Sequence, residues 1–150
     1  MGAHGRDVIQ ISLPSKMEHL SIVNRVTEEL ADQVGLGEDD KNSVATAVIE
    51  AATNAIQHGN RNDSTKTVRV RFVITPERLE VTVTDQGGGF DPRDVDDPLK
   101  PENMLRERGR GIFIIRAFMD GVRFSYRANR GMSVSLIKNL APSTREQVSG

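Results

Sequence analysis

Ile9, Ile11 and Leu13 alternate with Gln10 and Ser12, a period of two that turns the apolar side chains of an extended strand to one face and ends at Pro14. Beyond it the period changes. Met17, Leu20, Val23, Val26, Leu30 and Val34 recur every three or four residues, as one face of a helix requires, behind Ser15 and Glu18 in the S-x-x-E spacing of a capping box. Gly35 and Gly37 should stop that helix. A second helix is expected from about residue 39 to residue 57, with Val44, Val48, Ala51 and Ala55 on one stripe and Gly59 at its end. The small residues of that stripe imply close packing. Val68, Val70, Phe72 and Ile74, then Leu79, Val81 and Val83, alternate with polar neighbours on either side of Thr75-Pro76-Glu77-Arg78 and predict a hairpin. Residues 85 to 110 contain three consecutive glycines and three prolines and are too long for an ordinary connection, so a lid or a disordered loop is expected there. A short helix should begin near Gly111 and carry Ile112, Ile115 and Phe118 as far as Asp120-Gly121. Strands at 122 to 126 and 132 to 137, joined through Ala128-Asn129-Arg130-Gly131, complete the pattern, and the tail after Ala141 reads as disordered.

Strand, two helices, hairpin, long loop, helix, hairpin predicts an α+β two-layer sandwich, a mixed but mostly antiparallel sheet with about three helices on one face. The expected boundaries are an amino-terminal extension at 1–8, one domain at 9–140 and a flexible tail at 141–150. A chain of 150 residues suits a single core. Twenty Lys and Arg against 21 Asp and Glu leave a net charge of -1, which gives no whole-chain attraction to nucleic acid or anionic lipid. Neither is expected as a partner. The absence of cysteine excludes disulfides and thiolate metal sites. The start MGAHGRD has no signal-peptide pattern, and the apolar run 111–115 is stopped by Arg116, so the expectation is a cytoplasmic chain without a membrane span.

Three groups of residues could carry chemistry. Glu50 and Asn54 stand four apart on the second helix, with His58 one turn further, so their side chains rise from one face. An amide oxygen suits Mg2+, and a carboxylate one turn away could accept a proton from a nucleophile; the plainer alternative is a solvated helix face. Asn in mid-helix disfavours the helix, which suggests another reason for its presence. Asp85-Gln86-Gly87-Gly88-Gly89 follows directly on a strand, where a carboxylate could accept from an exocyclic amine and glycines let a flat ring approach the main chain; it could equally be a flexible turn. Arg108-Gly109-Arg110-Gly111 lies just ahead of a predicted helix start, whose free N–H groups attract phosphate, although a solvated basic loop would read the same way.

Taken in order, Glu50-x-x-x-Asn54, Asp85-x-Gly87-x-Gly89, Gly109-x-Gly111 and Gly131 ahead of the last strand resemble the superfamily of gyrase, Hsp90, histidine kinase and MutL ATPases, the GHKL or Bergerat ATP-binding fold, over about residues 9 to 139. Within it, Val48-Ile-Glu-Ala-Ala-Thr-Asn-Ala-Ile-Gln-His-Gly-Asn60 and Arg116-Ala-Phe-Met-Asp120 resemble the bacterial anti-sigma-factor serine/threonine protein kinases of partner-switching systems. The resemblance implies ATP and Mg2+ as cofactors, with Glu50 as general base for a partner's serine and Asn54 as the direct protein ligand of the metal. His58 falls inside the nucleotide motif. Asp85 would read adenine, Gly87 and Gly89 would flank the base, and Arg108, Gly109, Arg110 and Gly111 would wrap the phosphates as part of the lid. Arg25 matches an arginine that the family uses against its protein partners. The family usually has Thr directly after the glycine matching Gly131, whereas here Met132 stands there and Ser133 follows; Ser133 is grouped with the nucleotide-binding residues. The implied partners are an anti-anti-sigma protein of the STAS type, a sigma factor and a second copy of the chain. The alternative is a nucleotide-gated module that holds its partner without transferring phosphate.

Overall fold

Five strands make one sheet in the order β1-β2-β3-β5-β4, where β1 is Asp7–Pro14, β2 Thr67–Ile74, β3 Arg78–Thr84, β4 Gly121–Arg127 and β5 Gly131–Asn139. The computed structural model describes residues 5–87, 107–127 and 131–140. The expected lid and tail therefore lie largely or wholly outside the described residues. All four neighbouring pairs are antiparallel. Their register turns the alternation of each strand into one continuous apolar face: Ile9 stands opposite Phe72, Phe72 opposite Val81, Val81 opposite Leu136, and Phe124 opposite Val134. Phe72, Leu79, Val81 and Leu136 are fully buried there, and removing each such side chain from water stabilises the fold by about 1.5–3 kcal/mol. The opposite face is polar. Thr82 and Ser135 share a hydroxyl hydrogen bond of 2.9 Å, Thr84 and Ser133 one of 2.8 Å, and Glu80 lies 3.5 Å from Arg78 and 3.7 Å from Arg123.

Three helices, α1 (Leu20–Gln33), α2 (Glu38–Asn54) and α3 (Glu107–Phe118), supply the second layer. α2 lies in the middle and packs on α1, α3 and the sheet, its buried Ala45, Ala47, Ala51 and Ala52 allowing close approach. α1 ends as the glycines predict. Gly35 takes a φ of +84°, its N–H bonds to the Asp32 carbonyl at 3.1 Å, and the Leu36 N–H reaches back to Ala31 at 3.0 Å, the two bonds of a Schellman motif.

The start of α1 departs from expectation. Met17–His19 form a separate 3-10 turn, the helix begins at Leu20, and no side chain caps it. Ser15 is buried at 2% exposure and donates instead to the Lys66 carbonyl at 2.8 Å. The S-x-x-E spacing is present, but a tertiary acceptor takes the hydroxyl. α2 also ends differently: Ala55–Gly59 widen into a π-helical turn, with the Asn60 N–H bonded to the Ala55 carbonyl at 2.8 Å. α3 begins at Glu107, four residues before the expected Gly111, and it buries Ile112 and Ile115 while Met119, just past its end, takes the place expected of Phe118, which is 39% exposed. Among the described residues no helix is long and apolar enough to cross a membrane.

Candidate active site

The carboxy-terminal half of α2, the end of β3, the start of β5 and α3 surround one cavity. Its walls are apolar: Ala51 and Ala55 from α2, Val83 from β3, Ile112 and Ile115 from α3, and Met132 and Val134 from β5. Two polar side chains enter it, Asn54 and Asp85. A helix amide and a sheet-end carboxylate far apart in sequence thus share one space. The cavity holds about 30 Å³, room for a water or two, so a flat heterocycle enters only when side chains such as Ile112 and Met132 move aside.

Asp85 is 6% exposed and held in orientation by the backbone. Its Oδ1 accepts the N–H groups of Gly87 and Met132, each at 3.1 Å, and its own N–H donates to the Met132 carbonyl at 3.0 Å, continuing the β3–β5 pairing past Thr84. In both of these side-chain bonds Asp85 is the acceptor. Gly131 makes this possible. Its φ of +88° is one that side chains resist, and a Cβ there would stand 2.7 Å from Asp85 Oδ1.

Glu50 and Asn54 rise from successive turns of α2, half-buried, and face the backbone of α3. A methyl group on Gly111 would lie 2.9 Å from Glu50 Oε2 and 3.4 Å from Asn54 Nδ2. Because α3 starts at Glu107, the N–H groups for which the helix itself offers no acceptor belong to residues 107–110, and not to residues that follow Gly111. Gly109 is half-buried and Arg110 exposed in this first turn. Gly89 and the side chain of Arg108 lie outside the described residues. On its other side Glu50 lines a groove of about 360 Å³ between α1 and α2, with Asn24, Glu28, Asn42, Ala45, Thr46 and Ile49. Glu50 thus lies between that groove and α3.

Other expected residues do not join this group. Ser133 stands on the polar outer face of β5, bonded to Thr84, whereas its neighbour Met132 lines the cavity. Strand alternation sends successive side chains to opposite faces, so the hydroxyl expected beside the base is on the wrong side of the sheet. His58 is half-buried in the π turn and is not among the cavity-lining residues. Arg25 is exposed on α1, beside the groove residue Asn24 and outside the cavity. Among the described residues no cluster of three or more His, Cys, Asp or Glu could cage a metal. A metal here would have to be of the kind that takes one or two protein oxygens and completes its shell with phosphate and water, as Mg2+ does. The Asn54 amide oxygen fits that requirement. Asn60, part of the quoted motif but given no role by it, proves to be buried at the foot of the site.

Residues 13–138 match the histidine kinase-like ATPase domain family. The chain is similar to the serine-protein kinase RsbW of Bacillus licheniformis, 36% identical over 148 residues that span 95% of this chain and 89% of the relative. It is also similar to the serine-protein kinase RsbW of Bacillus subtilis, 31% identical with 89% and 86% covered. Among solved structures, the RsbU and RsbW domains of a Mycobacterium tuberculosis protein superpose with a TM-score of 0.66 at 18% identity, over 89% of this chain and 32% of that one. The histidine kinase domain of a blue-light activated kinase from Erythrobacter litoralis follows with a TM-score of 0.55 at 20% identity, over 90% and 64%. These two likenesses concern the fold.

Proposed function

Because the chain belongs to the histidine kinase-like ATPase domain family, we propose that it is a Mg-ATP-dependent serine-protein kinase that phosphorylates a serine of an anti-anti-sigma partner and, as an anti-sigma factor, holds a sigma factor. The observation that carries this reading is the meeting of Asn54 and Asp85 in one cavity with Glu50 beside it. Phosphoryl transfer asks a protein mainly to position groups and balance charge. Bound Mg-ATP supplies the phosphoryl group and the cation that neutralises the phosphates. Asp85 would accept a hydrogen bond from the adenine amine, and the Asn54 amide oxygen would hold the metal. The N–H groups at the head of α3, with Arg110, face the phosphates. The acceptor serine comes along the groove between α1 and α2 and delivers its hydroxyl proton to Glu50 as its oxygen takes the phosphoryl group, leaving ADP and phosphoserine. Arg25, exposed on α1, contacts the partner.

The alternative, a nucleotide-gated clamp, has no use for a carboxylate placed between the groove and α3. A second copy of the chain is part of the proposal, packed on α1 and the turn before it, where Ile22 and Met17 are exposed. Labelled ATP with Mg2+ and the co-purified partner tests the central step. Glu50→Gln should bind ATP as the parent does and transfer phosphate at least about a hundredfold more slowly, the usual cost of losing a general base. Equal transfer rates would remove Glu50 from the reaction, and absence of any phosphoserine with the parent chain would favour the clamp.

A further inference from the structure

Asn60 is 1% exposed, and its amide joins three segments that are remote in the chain. Nδ2 donates to Ser15 Oγ, just past β1, at 2.6 Å and to the Thr67 carbonyl, at the start of β2, at 3.1 Å. Oδ1 accepts the backbone N–H of Gln86 at 2.8 Å. Only one orientation of the amide serves all three, since a flipped group would set its oxygen against a carbonyl. Ser15 passes the chain of bonds to the Lys66 carbonyl at 2.8 Å, and the Gln86 side chain closes it by accepting the Thr67 N–H at 2.7 Å. Gln86 lies between Asp85 and Gly87, the residue whose N–H orients the Asp85 carboxylate.

We propose that Asn60 is the positioning residue for base selection. By holding the Gln86 N–H it fixes the turn after β3, and so keeps the Asp85 carboxylate at the angle from which it distinguishes an exocyclic amine from a carbonyl. It touches no nucleotide itself. The inference rests on the reading of Asp85 as the residue that meets the base. Loss of the amide leaves a part-buried N–H, a part-buried carbonyl and the buried Ser15 hydroxyl to find new partners, and the turn that they anchored gains freedom.

Calorimetric binding of Mg-ATP and Mg-GTP to the full chain tests this, with melting temperatures recorded for each variant. Asn60→Ala should weaken ATP roughly tenfold, as loss of a buried hydrogen bond would, while GTP changes by less than about twofold, so that the preference for ATP collapses. In an Asp85→Asn background the same substitution should alter ATP affinity by less than about twofold, because residues acting through one another are not additive. If the alanine variant does not fold, Asn60→Ser, which keeps a short acceptor, carries the comparison. A purely structural role would weaken ATP and GTP alike and add in full to Asp85→Asn, and that result overturns the proposal. Should Asp85→Asn weaken ATP while both Asn60 variants keep the preference, the positioning role alone is lost. Should Asp85→Asn bind ATP like the parent, the base-reading role of Asp85 fails and this inference fails with it.

Discussion

The charged residues at the amino-terminal end of α2 are bonded to other charged side chains at the surface: Lys41 reaches Asp32 at 3.2 Å and Glu38 at 3.1 Å, and Asp40 reaches Lys138 at 3.5 Å. At the carboxy-terminal end of the same helix Glu50 and Asn54 stand against the backbone of α3, at a glycine where even a methyl group would crowd them. Composition separates the two ends, six polar residues in Glu38–Ser43 against Glu50, Thr53 and Asn54 among the last seven, but it does not say what each side chain is for. What stands opposite does. Flexible, solvated partners tolerate small errors of placement, whereas a glycine backbone and a narrow cavity leave the side chains one arrangement. Binding energy at the first end holds the helix to its neighbours. At the second end precise placement is the whole use of the residues.

Gly111→Ala should separate the two ends most sharply. Alanine favours a helix over glycine by about 0.5–1 kcal/mol, and the nearest atom to its methyl is the movable tip of Glu50, so the melting temperature should hold or rise. Transfer should fall by roughly ten- to a hundredfold, since displacement of a reacting group by about 1 Å has that effect. A variant that is both stabilised and fully active would show that Glu50 does not need its place beside α3. Asp40→Ala makes the converse change. It removes an ion pair whose acid is exposed and whose lysine is half-buried, and a first-turn acid, each worth at most about 1 kcal/mol, so the melting temperature should drop by about 2–4 °C. ATP affinity and transfer rate should stay as they were. Loss of activity at unchanged stability would mean that the two ends are coupled.

Much of this architecture is legible in the chain, for reasons that also mark where reading stops. The five strands and the apolar stripes of α1 and α2 come from local period alone, because each element buries one face against the same core. The meeting of Asn54 with Asp85 follows from motif order. The π turn at Ala55–Gly59, whose hydrogen bonds are shifted by one residue, has no signature in residue type, and only the fold brings its Gly59 against Asp85. Ser15 has the spacing of a cap and the environment of a core residue, and only the fold places Lys66 and Asn60 around it. Ser133 shows the sharpest limit. A hydroxyl one position away from the expected one is, on a strand, on the opposite side of the sheet. The extra turn of α3 was hidden by Gly109 and Gly111, poor helix formers, of which Gly111 stands against Glu50 and Asn54 of α2.

The smallest expected effect concerns Lys41 and gives the amino-terminal end of α2 a signature of its own. Side-chain hydrogen bonds to Glu38 first and Asp32 second, with their charges, raise the pKa of Lys41 above its ordinary value. The charged form is thus favoured by folding. Its contribution is complete below the unfolded-chain value of about 10.4 and is lost as pH rises through the higher folded value. The informative quantity is the difference in melting temperature between the parent chain and Lys41→Met, measured from about pH 8 to about pH 11.5. That difference should be constant at first, then shrink above the unfolded value, with transfer activity at neutral pH the same in both chains. A difference that grew with pH would contradict the raised pKa, and one that was lost instead on acidification to about pH 7 would assign the stabilisation to some other group.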